Sequence, residues 1–211
     1  MDINYLIHIA AVSGGILYVM VLILLVCLVV IIDRTWYLTR VHREGLAIGR
    51  TVAQMSHLDR DALAQLAEDK SQFPQSVLIQ VPVNHPSVKD PVEFAELVEE
   101  GIMTVAPRMD KGLWLLDTLV TMAPLLGLLG TIIGIFQSFR VLGNPGTAPT
   151  AVTGGVAEAL IATAAGLFVA IISMIFYNGL SNLVRINLHH METIKAILVN
   201  RLRAESDSAR R

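Results

Sequence analysis

The sequence predicts an all-α membrane protein with three transmembrane helices and long helical cytoplasmic extensions. Three observations carry that prediction. Hydrophobic residues fill 54% of the 211 positions and the mean hydropathy is +0.59, higher than an ordinary soluble domain reaches. Three apolar stretches are each long enough to cross a hydrocarbon core of about 30 Å. Between and after them, apolar residues return at three- and four-residue steps, the period of an amphipathic helix.

The first span is Gly14–Ile32, nineteen residues without a charge. At about 1.5 Å per residue it covers the hydrocarbon core. Asp33, Arg34, Trp36 and Tyr37 close it with charge and interfacial aromatics. Residues 1–13 carry Asp2 and no Lys or Arg, so the basic n-region of a cleaved signal is missing and the span is expected to be retained. The second stretch, 113–139, exceeds one span. Its first turns are expected in the interface, with Trp114 as anchor and Asp117 near water, and Pro124 is expected to kink it. The third span is 155–176.

Positive charge sets the orientation. Nine Lys and Arg lie between spans one and two and six follow span three, whereas Arg140 alone lies between spans two and three. The positive-inside rule then places 1–13 in the periplasm, 33–112 in the cytoplasm as a helical domain, the 140–154 loop in the periplasm and the 177–211 tail in the cytoplasm. In the cytoplasmic part, Val41, Gly45/Leu46, Ile48, Val52, Met55, Leu58, Leu63 and Leu66 keep helical spacing. Pro74, Pro82, Pro86 and Pro91 mark a bend or loop region, and a helix is expected to start at Pro91, with Glu93 and Glu96 near its positive end. Pro107 is expected to kink that helix before span two. After span three, Leu180, Leu183/Val184, Leu188, Met191, Ile194 and Leu198 form a stripe that needs a partner, so span three is expected to continue as an amphipathic helix.

Composition excludes several functions. A net charge of -2 does not suit a protein that binds nucleic acid by bulk basicity. The single cysteine, Cys27, precludes an intrachain disulfide and reads as a small apolar side chain facing lipid or a neighbouring helix. The six histidines lack metal-ligand spacing with other ligands, no Ser/His pair occurs in the spans, and the glycines of "GLLGTIIG" follow no strand. An enzyme, a metal site and a phosphate loop are therefore not expected.

The spans differ in kind. Span one is built of large, branched residues, as a lipid-facing helix is. Span two sets Gly127, Gly130/Thr131, Gly134 and Ser138 on one stripe, and span three sets Ala159, Ala162/Thr163, Gly166, Ala170 and Ser173 on another. Small residues at this spacing let helix backbones approach where lipid supplies no hydrophobic push. The bland reading is ordinary packing glue within a monomer or oligomer; the sharper one, favoured by the placement of the hydroxyls and the carboxylate, is a packed wall with a polar, narrow inner face. Thr131 and Thr163 each lie eight residues from the outer end of their span, so both sit about 12 Å deep. Glu158 lies about 7 Å nearer the outer face. A charge at a span's centre costs about 2.5–3.5 kcal/mol on the insertion scale, so a carboxylate there faces protein or water and is a functional candidate. The bland alternatives are snorkelling to the surface or pairing with Arg140.

"APLLGLLGTIIGIFQSF" (123–139) and "GGVAEALIATAAGLFVAI" (154–171) resemble the two signature segments of the MotA/TolQ/ExbB ion-channel family. The order of elements fits too, and three spans with a short chain are similar to ExbB and TolQ rather than to flagellar MotA. The resemblance implies a ring-shaped homo-oligomer, a pentamer, in the bacterial inner membrane, surrounding two copies of an ExbD/TolR-type single-span protein. That partner's aspartate is the principal proton carrier, and energy passes to a TonB- or TolA-type protein. The resemblance implies no cofactor, the proton being the coupling ion. It places the pore glutamate on Glu158 and the pore threonines on Thr131 and Thr163. Many members have a proline after "VAI" in span three; this chain has Ile172 and Ser173, so the helix distortion a proline brings is not implied. An ExbB-like role in nutrient import is preferred; a TolQ-like role in envelope maintenance and a non-conducting scaffold stay open.

Overall fold

A computed structural model describes residues 15–142 and 149–209. The expected periplasmic N-terminus and positions 143–148 of the expected outer loop lie outside the described residues. Among the described residues six helices follow in order: α1 (Ile16–Gln54), α2 (Arg60–Asp69), α3 (Ser76–Asn84), α4 (Pro91–Asp110), α5 (Leu113–Leu142) and α6 (Pro149–Ala209). Among the described residues there is no strand. The protein is a helical membrane protein: α1, α5 and α6 contain the three apolar stretches, and each is long and apolar enough to cross a membrane.

The contacts divide the chain into two units, residues 1–34 with 112–179 and residues 35–111 with 180–211. In the first, the spanning parts of the three helices leave most of their large apolar side chains exposed, as lipid-bathed helices do, with Leu22, Val29, Leu125, Phe136, Phe168 and Ile175 among them. The packed interior is thin. Ala123, Val169 and Ala170 form its centre, with Ile23 and Leu24 of α1 against them.

The second unit has a core of the soluble kind. Leu38, Val41, Gly45, Ile48 and Val52 are buried along α1, and Phe94, Val98, Ile102, Val105 and Met109 along α4. On α6 the buried set is Leu180, Val184, Asn187, Met191, Ile194, Leu198 and Leu202. These three- and four-residue steps make apolar seams that face one another. Each large side chain so buried contributes about 1.5–3 kcal/mol. The α6 stripe follows the sequence reading except at one place, where Asn187 is buried and Leu188 is only half-buried.

Caps explain the helix starts. The Asp59 carboxylate accepts from the N–H groups of Asp61 and Ala62 at 3.2 and 3.1 Å, and Asp90 accepts from Val92 at 3.1 Å with Pro91 opening α4. The prolines behave less simply than the sequence suggests. Pro82 lies inside α3, and α4 runs past Pro107 to Asp110. The interruption before α5 falls at Gly112, whose φ of +82° is a left-handed conformation that suits glycine.

Candidate functional site

The seam between α5 and α6 is built from missing side chains. The helices run antiparallel, and their closest approach leaves no space for a Cβ. One added at Gly166 would stand 2.5 Å from the Ala123 carbonyl oxygen and 3.1 Å from the Gly127 Cα. One at Gly127 would stand 2.8 Å from the Ala162 oxygen and 3.0 Å from the Thr163 Cα. At Gly130 the obstacles are the Ala162 Cβ at 2.8 Å and Ile16 of α1 at 3.2 Å. Ala159, Ala162, Gly166 and Ala170 are buried on α6, and Gly127, Gly130 and Gly134 on α5. Farther along, Gly155 lies against Ser138, whose hydroxyl donates to the Gly134 carbonyl at 2.8 Å.

That close approach brings Thr131 and Thr163 into hydrogen-bond contact with each other. Both hydroxyls also reach the Gly127 carbonyl, at 3.2 Å from Thr131 and 3.1 Å from Thr163. The two threonines assigned equal depth from sequence therefore meet in one protomer. Three oxygens are close and only two hydroxyl hydrogens serve them. Each hydroxyl can donate once and accept twice, so the direction of the inner bond can reverse with no heavy atom moving. Thr131 is buried and Thr163 half-buried, which leaves the pair one accessible edge.

Glu158 is placed apart from that pair. It is half-buried on α6, five residues before Thr163. At 3.6 residues per turn, five residues rotate about 140° around the helix and rise about 7.5 Å. The buried stripe of Ala159, Ala162 and Gly166 lies between them, so Glu158 and Thr163 flank it on opposite rims. The structure brings the two hydroxyls together and keeps the carboxylate on the other edge of the packed face.

One polar contact in this unit had no counterpart in the sequence reading. The buried Cys27 thiol of α1 and the buried Ser173 hydroxyl of α6 lie 3.2 Å apart. Cys27 reads as one more apolar position in a run of Leu and Val, and only the packing reveals its partner. Among the described residues, no group of three or more His, Cys, Asp or Glu is placed to hold a metal ion.

Comparison with known proteins adds an independent observation. Residues 67–193 match the model of the MotA/TolQ/ExbB proton channel family. The biopolymer transport protein ExbB-like 1 of Synechocystis sp. is 30% identical over 177 residues, which cover 81% of this chain and 68% of that protein. Biopolymer transport protein ExbB of Aquifex aeolicus is 44% identical over 88 residues, 41% of this chain and 60% of that protein. Its counterpart from Neisseria gonorrhoeae is 35% identical over 112 residues, 53% of this chain and 51% of that protein. The chain thus spans about two thirds of the Synechocystis relative and about half to three fifths of the other two.

Proposed function

Because the chain belongs to the MotA/TolQ/ExbB proton channel family and is most like its ExbB members, we propose that it is a subunit of a proton-motive-force-driven inner-membrane motor. In this reading it forms a ring, a pentamer, around an ExbD-type single-span partner, and the complex energises TonB-dependent import across the outer membrane. The N-terminus is periplasmic and the C-terminus cytoplasmic. The observation that carries the reading is the hydroxyl pair of Thr131 and Thr163 on the Gly127 carbonyl, within a seam of small residues.

The chemistry follows from that geometry. An apolar span has almost no group that can pass a proton or steady a carboxylate. The Thr131–Thr163 pair supplies donors and acceptors whose direction reverses without cost in position. A partner carboxylate, when charged, is held by such hydroxyls; when neutral, it can pass the apolar wall. Glu158, nearer the outer face, supplies an ionisable group at the entry of the path. One charge crossing 100 mV releases about 2.3 kcal/mol, enough to bias two packings of helices against each other.

The test is co-expression with an ExbD-type partner in cells lacking their own ExbB-type protein. Receptor-dependent uptake is measured alongside assembly of the complex. Glu158→Ala is expected to assemble and to reduce uptake to background. Normal uptake in a normally assembled Glu158→Ala complex overturns the role of Glu158. Normal uptake in a Thr131→Val/Thr163→Val complex favours a scaffold through which no proton moves.

A further inference from the structure

We propose that the groove on α1 just after span one, lined by Trp36, Thr39, Arg40, Arg43 and Glu44, binds the phosphate headgroup of an anionic phospholipid. The groove encloses about 280 Å³. Trp36, Arg40 and Arg43 follow one another at four- and three-residue steps, so they share one face of the helix.

The arginines are placed for this ligand. The Arg40 guanidinium lies 5.8 Å from the Trp36 ring centre and 5.5 Å from that of Phe73, a buried residue of the α2–α3 connection. Two rings fix its orientation while leaving its N–H edge available for an anion. The carboxylate lining the groove is occupied elsewhere, because Glu44 pairs with Lys70 at 3.2 Å. Asp69 and Glu44 together hold the Lys70 ammonium above its usual pKa. Among the described residues, neither Arg40 nor Arg43 forms an ion pair. The groove keeps its positive charge.

The depth selects a lipid. Trp36 lies four residues past Ile32, about 6 Å along the helix, within the headgroup layer that adds about 5–8 Å to each side of the hydrocarbon. Arg40 and Arg43 start one and two turns farther on. Helical side chains lean toward their own N-terminus, which here is toward the membrane, and the Arg40 guanidinium over Trp36 shows that lean. Trp36 itself is 70% exposed, the amphipathic ring expected at a bilayer surface. The inference rests on Gly14–Ile32 crossing the membrane and is independent of proton conduction.

Native mass spectrometry of the full chain in neutral detergent tests it, with added phosphatidylglycerol or phosphatidylcholine. Phosphatidylglycerol is expected to remain bound, one per chain, at energies that strip phosphatidylcholine. Arg40→Gln/Arg43→Gln is expected to weaken that binding about 25-fold, at about fivefold for each arginine near an anionic surface. Equal retention of the two lipids by the unaltered protein overturns the proposal without reference to any variant. So does a folded double variant that keeps phosphatidylglycerol as before. Complete displacement of the lipid by millimolar inorganic phosphate assigns the groove to a soluble phosphate instead, which also overturns it.

Discussion

The Gly166 backbone lies so close to the Ala123 carbonyl that a Cβ on Gly166 would stand 2.5 Å from that oxygen. Backbone cannot step aside as a flexible side chain can. Gly166→Ala must therefore separate α5 from α6, an overpacking cost of about 1–3 kcal/mol. Gly179 is the internal control, since a Cβ there meets nothing within 4 Å. Gly179→Ala is expected to leave stability unchanged or raise it by about 0.5–1 kcal/mol, the helix propensity difference. Thermal unfolding of both variants in detergent checks this, and equal midpoints for the two would show that the seam has room for a Cβ at Gly166.

Thr131 and Thr163 touch within one chain, which makes a geometric prediction separable from any function. Thr131→Cys/Thr163→Cys, in a Cys27→Ser background, is expected to oxidise to an intrachain disulfide. Intact mass should fall by about 2 Da, with no dimer on a non-reducing gel. A ladder of cross-linked chains would mean that the hydroxyls meet across subunits. The Val/Val variant of the same pair is expected to change stability by less than about 1 kcal/mol. Replacing both hydrogen-bonding partners with apolar groups of similar shape leaves no new orphan on either side chain.

Much of this arrangement was legible in the sequence, for identifiable reasons. Span length, the small residues at 127, 130, 162 and 166, and the equal depth of the two threonines follow from helix geometry alone. The α6 stripe from Leu180 to Leu198 follows from its period. What stayed hidden depends on partners distant in sequence. Asn187 and Leu188 are neighbours near one stripe, and chemistry favours Leu. The structure buries Asn187, whose Oδ1 accepts from the Nδ1 of His42, 145 positions earlier, at 3.2 Å. Depth already sets Glu158 about 7 Å nearer the outer face than Thr163, and rotation about α6 sets the two on opposite rims of the packed stripe as well. Pro107 reads as a kink by residue type and stands inside α4; the end of that helix is set farther on, by the left-handed backbone of Gly112, which residue type alone does not single out.

Gly45 and Gln75 supply a prediction for the second unit. The Gln75 side chain is fully buried and its Nε2 donates to the Val41 carbonyl of α1 at 3.1 Å. A Cβ on Gly45 would stand 2.6 Å from that nitrogen. Gly45→Ala displaces the amide and strands it in an apolar core, at a cost of about 1–3 kcal/mol. Gln75→Leu in the same chain is expected to recover part of the loss, because no buried amide then needs a partner. A double-mutant cycle on unfolding free energy measures this, and strict additivity would show that the two residues act independently.

His190 is expected to make the second unit sensitive to acid. Its ring lies 5.4 Å from that of His42. Burial first, then the neighbouring His42 and His189, push its pKa below the usual histidine value of 6.5. A lowered folded-state pKa means that the neutral form is favoured by folding. The stability so contributed is fully present above about pH 6.5 and is lost as pH falls through the depressed value. The full chain is therefore expected to unfold at a lower temperature at pH 5.5 than at pH 7.5. His190→Gln, which cannot take up the proton, is expected to narrow that difference while leaving the midpoint at pH 7.5 nearly unchanged. An undiminished pH dependence in the variant would assign the acid sensitivity to other groups.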